Sequence, residues 1–427
     1  MAVEGAFSGI TIGKILSLPA AVLEEGTFTL SPDAARIRLA SGTIGASRVT
    51  AAKADITGIR KGTPAAEIQA EIEGPAAELI EAAANLPGEK RKGLKPPAVT
   101  EAQARTRARV QFPILKTITA ADVDYSLETD IADIRIQDYL GLTLSDGKAT
   151  AALANGRLSL EGTIASGGTP VAVTWKRGGD SRETITLKAT LDPANHADFR
   201  LPPLPFLKGT IPARAELQVT EAGIEIESRL DLTQPAVDLK RWGWVKKAGA
   251  RAVLEGRGTL TEGGTLTVSR LALSGRNLDI RGTGTLTLGE AAAMDLQFDP
   301  VKAGKHRLTA GLSFEKQRGY GVDLKGSRFD ASGFFADARP KGKAAAPESP
   351  PEAEAPPDKT ARRDTALSLD IQEVTLANGI TLNQPKGKIH LTGKRVREAA
   401  IEGSLNGKAP LRITVNSKES PEKILVT

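Results

Sequence analysis

The feature that most constrains the fold of this chain is a two-residue alternation of apolar and polar side chains. From Leu278 to Leu288 the sequence reads LDIRGTGTLTL, and an apolar residue or a glycine occupies every second position. The same rhythm runs through Ile224–Leu232, Leu158–Ile164 and Leu367–Ile371. Because successive side chains of a strand point to opposite faces, each segment predicts a β-strand with one apolar and one polar face.

Turn signals separate these segments along most of the chain. Asn155-Gly156 is typical of a two-residue hairpin turn, and Ala121–Glu128 and Ala132–Ile136 are predicted as separate strands. One helix is predicted over Ala76–Leu86, between Gly74-Pro75 and Pro87-Gly88. The sequence therefore predicts an all-β fold with one or two short helices, in which an elongated, curled antiparallel sheet forms an open apolar groove.

The same reading predicts three regions. Residues 1–337 form a β-groove region that includes the short helix near 76–86. Residues 338–364 are rich in proline, alanine and charge and have no apolar period, which predicts a disordered linker. Residues 365–427 return to short alternating strands and are predicted to be a further β-groove segment.

Composition narrows the classes of function. Aromatic residues make up only 4% of the chain, so the predicted apolar face consists mainly of leucine, isoleucine, valine and alanine. Cysteine is absent, which excludes disulfides and thiol chemistry. The formal net charge of +6 is mild for 427 residues and does not indicate a nucleic-acid partner.

No catalytic or metal-binding motif stands out in the sequence. His196, His306 and His390 are each isolated from other ligands, and we expect them at the surface or at strand edges. Gly256-Arg-Gly258 and Gly282-Thr-Gly284 lack the strand-to-helix context of a phosphate loop, and no Gly-x-Ser-x-Gly elbow occurs. We expect a protein that is not an enzyme and that uses no metal and no cofactor.

Two segments have a structural and a functional interpretation. Arg241, Trp242, Trp244, Lys246 and Lys247 are candidates for contact with a membrane surface or an anionic headgroup, or else the two tryptophans plug an open end of the sheet. The predicted helix either caps a sheet edge or contacts a membrane or a partner.

The start of the chain reads like the middle of a run of strands. It has no basic segment followed by an apolar one, so it does not resemble a signal peptide, and no run of about 18 apolar residues predicts a transmembrane helix. We expect the chain to be a fragment of a longer protein or to follow an alternative start.

Several segments resemble the AsmA-like family, and its YhdP-type branch in particular. The resemblance rests on residues 74–88 (GPAAELIEAAANLPG), 127–175, 231–260, 322–335 and 367–407. The family is similar to TamB and to bridge-like lipid transfer proteins. The resemblance implies a bacterial periplasmic protein, anchored in the inner membrane through an N-terminal segment missing from this chain, which moves phospholipids toward the outer membrane and works with envelope membranes or proteins. It implies no catalytic residues.

Residues and resemblance together lead to the hypothesis of a lipid conduit. An apolar sheet face must be covered, and acyl chains can cover it in place of a protein core. The residues predicted to line the groove are Leu158, Leu160, Ile224, Ile226, Leu230, Leu278, Ile280, Leu286, Leu288, Leu367 and Leu369.

Two alternatives remain open at this point. A structural or assembly scaffold would bind outer-membrane proteins by strand addition to an exposed sheet edge. A glycan-active or glycan-binding β-protein would need exposed aromatic platforms and a convergent pair of carboxylates, and the low aromatic content disfavours it.

Overall fold

The computed structural model describes residues 2–13, 20–78, 80, 99–139, 142–178, 183–199, 206–220, 222–240, 244–261, 263–287, 293–316, 318–335, 364–392, 395–417 and 423–426. Most of these residues lie in β-strands, which confirms the predicted all-β class, and the sheet is open and curled. The chain divides into two compact units. The first comprises Met1–Pro203 and Pro212–Glu225, and the second comprises Leu204–Ile211 and Ile226–Thr427.

The first unit contains a long antiparallel meander in which each strand pairs with the next along the chain. Its strands are β1 (Val3–Ile12), β2 (Ala21–Leu30), β3 (Ala34–Ile44), β4 (Ser47–Thr57), β5 (Ala65–Pro75), β6 (Val99–Pro113), β7 (Asp124–Tyr139), β8 (Leu142–Ala154), β9 (Arg157–Ser166), β10 (Thr169–Arg177) and β11 (Glu183–Leu191). Short connections join most of these strands, as an antiparallel sheet requires.

Five further strands follow along the chain. They are β12 (Leu207–Lys208), β13 (Ile211–Thr220), β14 (Gly223–Asp231), β15 (Ala236–Leu239) and β16 (Trp244–Lys246). Strands β12, β15 and β16 form a separate three-stranded antiparallel sheet, which the alternation of the sequence did not predict.

The second unit contains another long meander with consecutive pairing. Its strands are β17 (Ala252–Leu260), β18 (Thr265–Gly275), β19 (Leu278–Thr287), β20 (Ala293–Ala303), β21 (His306–Glu315), β22 (Gly319–Asp330), β23 (Asp364–Thr375), β24 (Thr381–Thr392), β25 (Arg395–Leu405), β26 (Ala409–Asn416) and β27 (Lys423–Val426). The pairing is antiparallel throughout except between β22 and β23, which run parallel. This pairing departs from the antiparallel arrangement that the sequence predicts.

The turn chemistry of the sequence sets several strand boundaries. Asn155, Asn277 and Asn406 adopt the left-handed conformation, with φ of 45°, 56° and 50°, in the turns that follow β8, β18 and β25. Asparagine tolerates this conformation better than most residues, which favours tight hairpins at these positions. The segments predicted as two strands around residue 130 instead form the single long strand β7.

Two predicted segments fall largely outside the described residues. The predicted helix begins as expected, since residues 76–78 and 80 are helical, and the rest of Ala76–Leu86 is not described. Of the predicted linker 338–364 only Asp364 is described, and it is the first residue of β23. The segment 365–427 lies within the second unit, where β23 continues the sheet beside β22.

Two small clusters of buried apolar residues lie next to helical segments. In the first unit Ala76 packs with Ala102 and Ala104. In the second unit Ala331, just before the helical turn Ser332–Phe335, packs with a cluster that includes Leu308 and Ile371. Both clusters cover only part of the sheet to which they belong.

Candidate functional site

An apolar row crosses nine consecutive strands of the second unit. Residues that are direct partners in neighbouring strands place their side chains on the same face, so the register of β18–β26 defines the row. Its members are Val268, Gly284, Leu296, Leu312, Val322, Leu367, Ile389, Ala399 and Val415. No member of this row carries a polar side chain.

A second row lies beside it, two residues away in each strand and three residues away in β18, where the register shifts. It consists of Leu271, Gly282, Phe298, Ala310, Leu324, Leu369, Gly387, Ile401 and Ile413. The two rows together form what we call the apolar face of the second unit. Predicted lining residues Leu367 and Leu369 lie in these rows, and Ile280 and Leu286 lie on the same face two residues from a member.

Glycines on the apolar faces lie beneath phenylalanine rings. A Cβ atom at Gly282 would meet the ring of Phe298, and one at Gly5 or Gly26 would meet the ring of Phe28 or Phe7 respectively. Glycine therefore lets each aromatic ring lie flat against the neighbouring strand, as in the known pairing of strand glycines with aromatic residues.

The first unit has an apolar face of the same kind. One row of direct partners across β1–β9 consists of Phe7, Gly26, Leu39, Ala52, Ala70, Ala108, Leu127, Leu153 and Leu158. A neighbouring row contains Leu160 between Ala151 and Trp175. The polar members of that row are Thr106 and Thr129, whose hydroxyl groups lie 3.0 Å apart and share a hydrogen bond.

Burial distinguishes these faces from a closed core. Most predicted lining residues are half-buried: Leu158, Leu160, Ile224, Ile226, Leu230, Ile280, Leu286, Leu367 and Leu369. Leu278 is fully buried, with 5% of its surface exposed, and Leu288 lies outside the described residues. Half-burial means that neighbours on the same face contact each side chain while part of its apolar surface remains in water.

The opposite face of the sheet carries charges in both units. Arg105 contacts Glu71 at 3.2 Å, Arg109 contacts Glu67 at 3.0 Å, and Lys386 contacts Asp370 at 3.4 Å, each pair joining neighbouring strands. Each of these side chains is at least 32% exposed, so each pair contributes little to stability. Their effect is to keep this face hydrated, which fixes the apolar face as the other side.

Helical segments cover the ends of the apolar faces. In the first unit, partly buried Ile80, Val99, Ile131 and Ile134 pack around the Ala76 cluster, and Ala104 and Ile131 are direct partners on the apolar face. Glu78 accepts hydrogen bonds from the Ala46 amide and the Ser47 hydroxyl, at 2.8 and 2.7 Å, and so ties this segment to a hairpin.

The tryptophan-containing segment is only partly described. Arg241 and Trp242 lie outside the described residues, Trp244 is half-buried, and Lys247 is exposed. Lys246 does not fit the predicted headgroup contact, because it is only 5% exposed. Its ammonium group donates to the carbonyl oxygens of Thr233, Pro235 and Lys247, and burial lowers its pKa.

The histidines differ from the expectation in one case. His390 is exposed and His196 is half-buried, but His306, the first residue of β21, is only 4% exposed. Its ring lies 5.1 Å from that of Phe329, and its Nδ1 accepts a hydrogen bond from the Asp330 amide. Within the described residues, no group of three or more acidic, histidine or cysteine side chains is placed to hold a metal ion.

Within the same part of the chain, no helix is long and apolar enough to cross a membrane. Comparison of the chain with known protein families, with curated proteins and with solved structures finds no match. Functional inference therefore depends on the chemistry of the two apolar faces.

Proposed function

We propose that this chain is a periplasmic, non-enzymatic segment of an AsmA-like protein that shields phospholipid acyl chains between the inner and outer membranes. The observation that carries the proposal is the row from Val268 to Val415, which is uninterrupted by polar side chains over nine strands. Large exposed apolar patches are uncommon on soluble proteins and mark sites where another apolar surface binds.

The energetics favour an acyl chain as that surface. Each methylene group that leaves water for an apolar environment contributes about 0.8 kcal/mol, so a tail lying along several strands gains a large part of its transfer free energy. Leu296, Leu312 and Val322 are half-buried and retain apolar surface for such contacts. A bound tail would replace the opposing layer of a protein core.

The lining favours movement over fixed binding. Aliphatic side chains offer no directional hydrogen bonds, and the two threonine hydroxyls on the apolar face of the first unit bond to each other. A tail therefore meets similar dispersion contacts at each strand. The charged opposite face keeps the protein hydrated while the tails stay shielded.

Lipids that co-purify with the chain test this proposal. We expect mass spectrometry of an organic extract to find phospholipids at a stoichiometric level after purification without detergent. A chain without bound lipid would contradict the proposal. Capture of a specific envelope protein in place of lipid would favour the alternative of strand addition to a sheet edge.

A further inference from the structure

A pocket of about 530 Å³ lies where β17 begins and where the chain turns from β18 to β19. Leu254 and Leu273 are direct partners on the apolar face, so Val253 and Glu255, one residue before and after Leu254, point to the polar face. The pocket therefore opens on the polar side of the second unit. Its lining residues are Arg229, Ala250, Arg251, Val253, Glu255, Ser274, Gly275 and Arg276.

Three of the lining residues are arginines, and they differ in their partners. Arg229 pairs with Glu255 at 2.6 Å, and Arg270 approaches the same carboxylate at 3.9 Å from outside the lining. Arg251 and Arg276 are exposed, and among the described residues neither forms an ion pair.

One further acid lies near the pocket. The side-chain and backbone hydrogen bonds of Thr233 hold the pKa of Asp231 below its ordinary value, and the charges of Arg229 and Arg251 act in the same direction. Asp231 is thus ionised at neutral pH, and its carboxylate accepts a hydrogen bond from the Thr233 amide at 2.8 Å. Asp279, the direct partner of Ser274, is paired with Arg281 at 3.0 Å. The remaining charges are those of Arg229, Arg251, Arg270 and Arg276 against Glu255 and Asp231, which leaves the region with an excess of positive charge.

The backbone that holds the arginines is fixed by strand pairing. Val253 is 7% exposed and pairs with Ser274, and Ala252 is 1% exposed and pairs with Gly275. Arg251 therefore immediately precedes the two buried residues that begin β17, and Arg276 lies in the tight turn that follows β18. Guanidinium groups bind phosphate oxygens through two parallel N–H donors, and arginine is the preferred residue for this contact.

We propose that this pocket binds an oxyanion of the phosphate class, with Arg251 and Arg276 as its principal ligands. Phosphate monoesters and phosphodiesters share the chemistry that the pocket recognises, whether they are free in solution or belong to a phospholipid headgroup. Because the pocket lies on the polar face, the site is separate from the acyl-chain surface proposed above.

Calorimetric titration of the full chain tests the site. The probes are inorganic phosphate at low ionic strength and vesicles of phosphatidylglycerol in phosphatidylcholine, with pure phosphatidylcholine vesicles as the reference. The test variant is the double substitution Arg251→Gln with Arg276→Gln. The matched control is Arg257→Gln, which removes a polar-face arginine that pairs with Glu227 outside the pocket.

We expect saturable binding of at least one anionic probe to the natural chain. The double variant should weaken that binding by about tenfold or more, and Arg257→Gln should change it by less than about twofold, since an exposed pair outside the pocket contributes little. Binding to free phosphate would assign the site to soluble anions, and binding to anionic vesicles alone would assign it to a headgroup.

Two results would overturn the site. The first is the absence of saturable binding to either probe, and the second is equal weakening in the double variant and in Arg257→Gln, which would indicate general charge attraction. The single variant Arg276→Gln, in an exposed turn, provides a second test if the double variant unfolds. Loss of this site would leave lipid co-purification unchanged, so the two proposals fail independently.

Discussion

At the scale of single residues, alternate positions of one strand have different environments. Leu286 is half-buried beside its direct partners Leu266 and Met294 on the apolar face. Thr283, three positions earlier, is exposed on the polar face opposite Gln297. This contrast allows the same substitution to be made on both faces of β19.

We predict that Leu286→Asp reduces the phospholipid recovered with the chain by about fivefold or more. An acyl chain on this face would remove the new carboxylate from water, and that desolvation costs free energy. Thr283→Asp should leave recovery unchanged. Lipid extraction followed by mass spectrometry provides the measurement, and circular dichroism verifies that both variants keep their strands. Equal recovery from both variants would show that the apolar face does not hold the lipid.

Lys246 shows how one residue can depart from the sequence-based interpretation. In the sequence Lys246 lies close to Trp244 and Lys247, a setting typical of a surface cation. In the three-stranded sheet its direct partner is Val237, which is buried together with it. Alternation assigns a residue to a face of its own strand but does not say which face another part of the chain covers, so its burial could not be predicted.

We predict that Lys246→Met lowers the free energy of unfolding by about 1–3 kcal/mol, because three backbone carbonyl oxygens lose their shared donor. Lys247→Met, at an exposed side chain, should change it by less than about 0.5 kcal/mol. Urea unfolding measures both values. An unchanged free energy of unfolding in Lys246→Met would mean that these hydrogen bonds make no net contribution to stability.

At the scale of elements, two short helical segments follow strands and bind an earlier hairpin. Residues 76–78 follow β5 and contact Ser47, and Pro193–Phe199 follows β11 and contacts Ser166 and Thr169. In the first unit β5 and β11 run in the same direction, so both segments lie at the same end of the strands.

We predict that Glu78→Ala accelerates hydrogen exchange of the amides around Ser47, because the buried hydroxyl and the Ala46 amide lose their acceptor. The local opening free energy should fall by about 1–2 kcal/mol. Glu101→Ala removes an exposed partner of Arg135 and should leave exchange near Ser47 unchanged. Unchanged protection from hydrogen exchange in Glu78→Ala would show that the hydrogen bonds of Glu78 do not stabilise this hairpin.

The sequence predicted many of these elements because local chemistry determines them. Asn155-Gly156 joins β8 to β9, as the turn residues indicated. The parallel pairing of β22 with β23 could not be predicted, because alternation is the same for parallel and antiparallel neighbours. The pocket arginines were also missed, since they come from three separate strands or turns.

At the scale of the whole molecule, the two units repeat the same plan. One face carries half-buried aliphatic rows, the other carries exposed ion pairs, and buried clusters lie beside helical segments. Apolar surface left in water costs about 25 cal/mol per Å², so rows of this extent favour contact with another apolar surface. Under the proposed function, phospholipid tails would provide that surface.

Photo-crosslinking in living cells tests this claim most directly. A photoreactive residue is placed at Leu160, Ile280 or Leu367 on the apolar faces, and at their exposed or polar-face neighbours Glu161, Arg281 or Ser368 as matched controls. We predict phospholipid adducts at the first three positions and few or none at the controls. Equal capture at both sets, or capture at the controls alone, would contradict lipid shielding by the apolar faces.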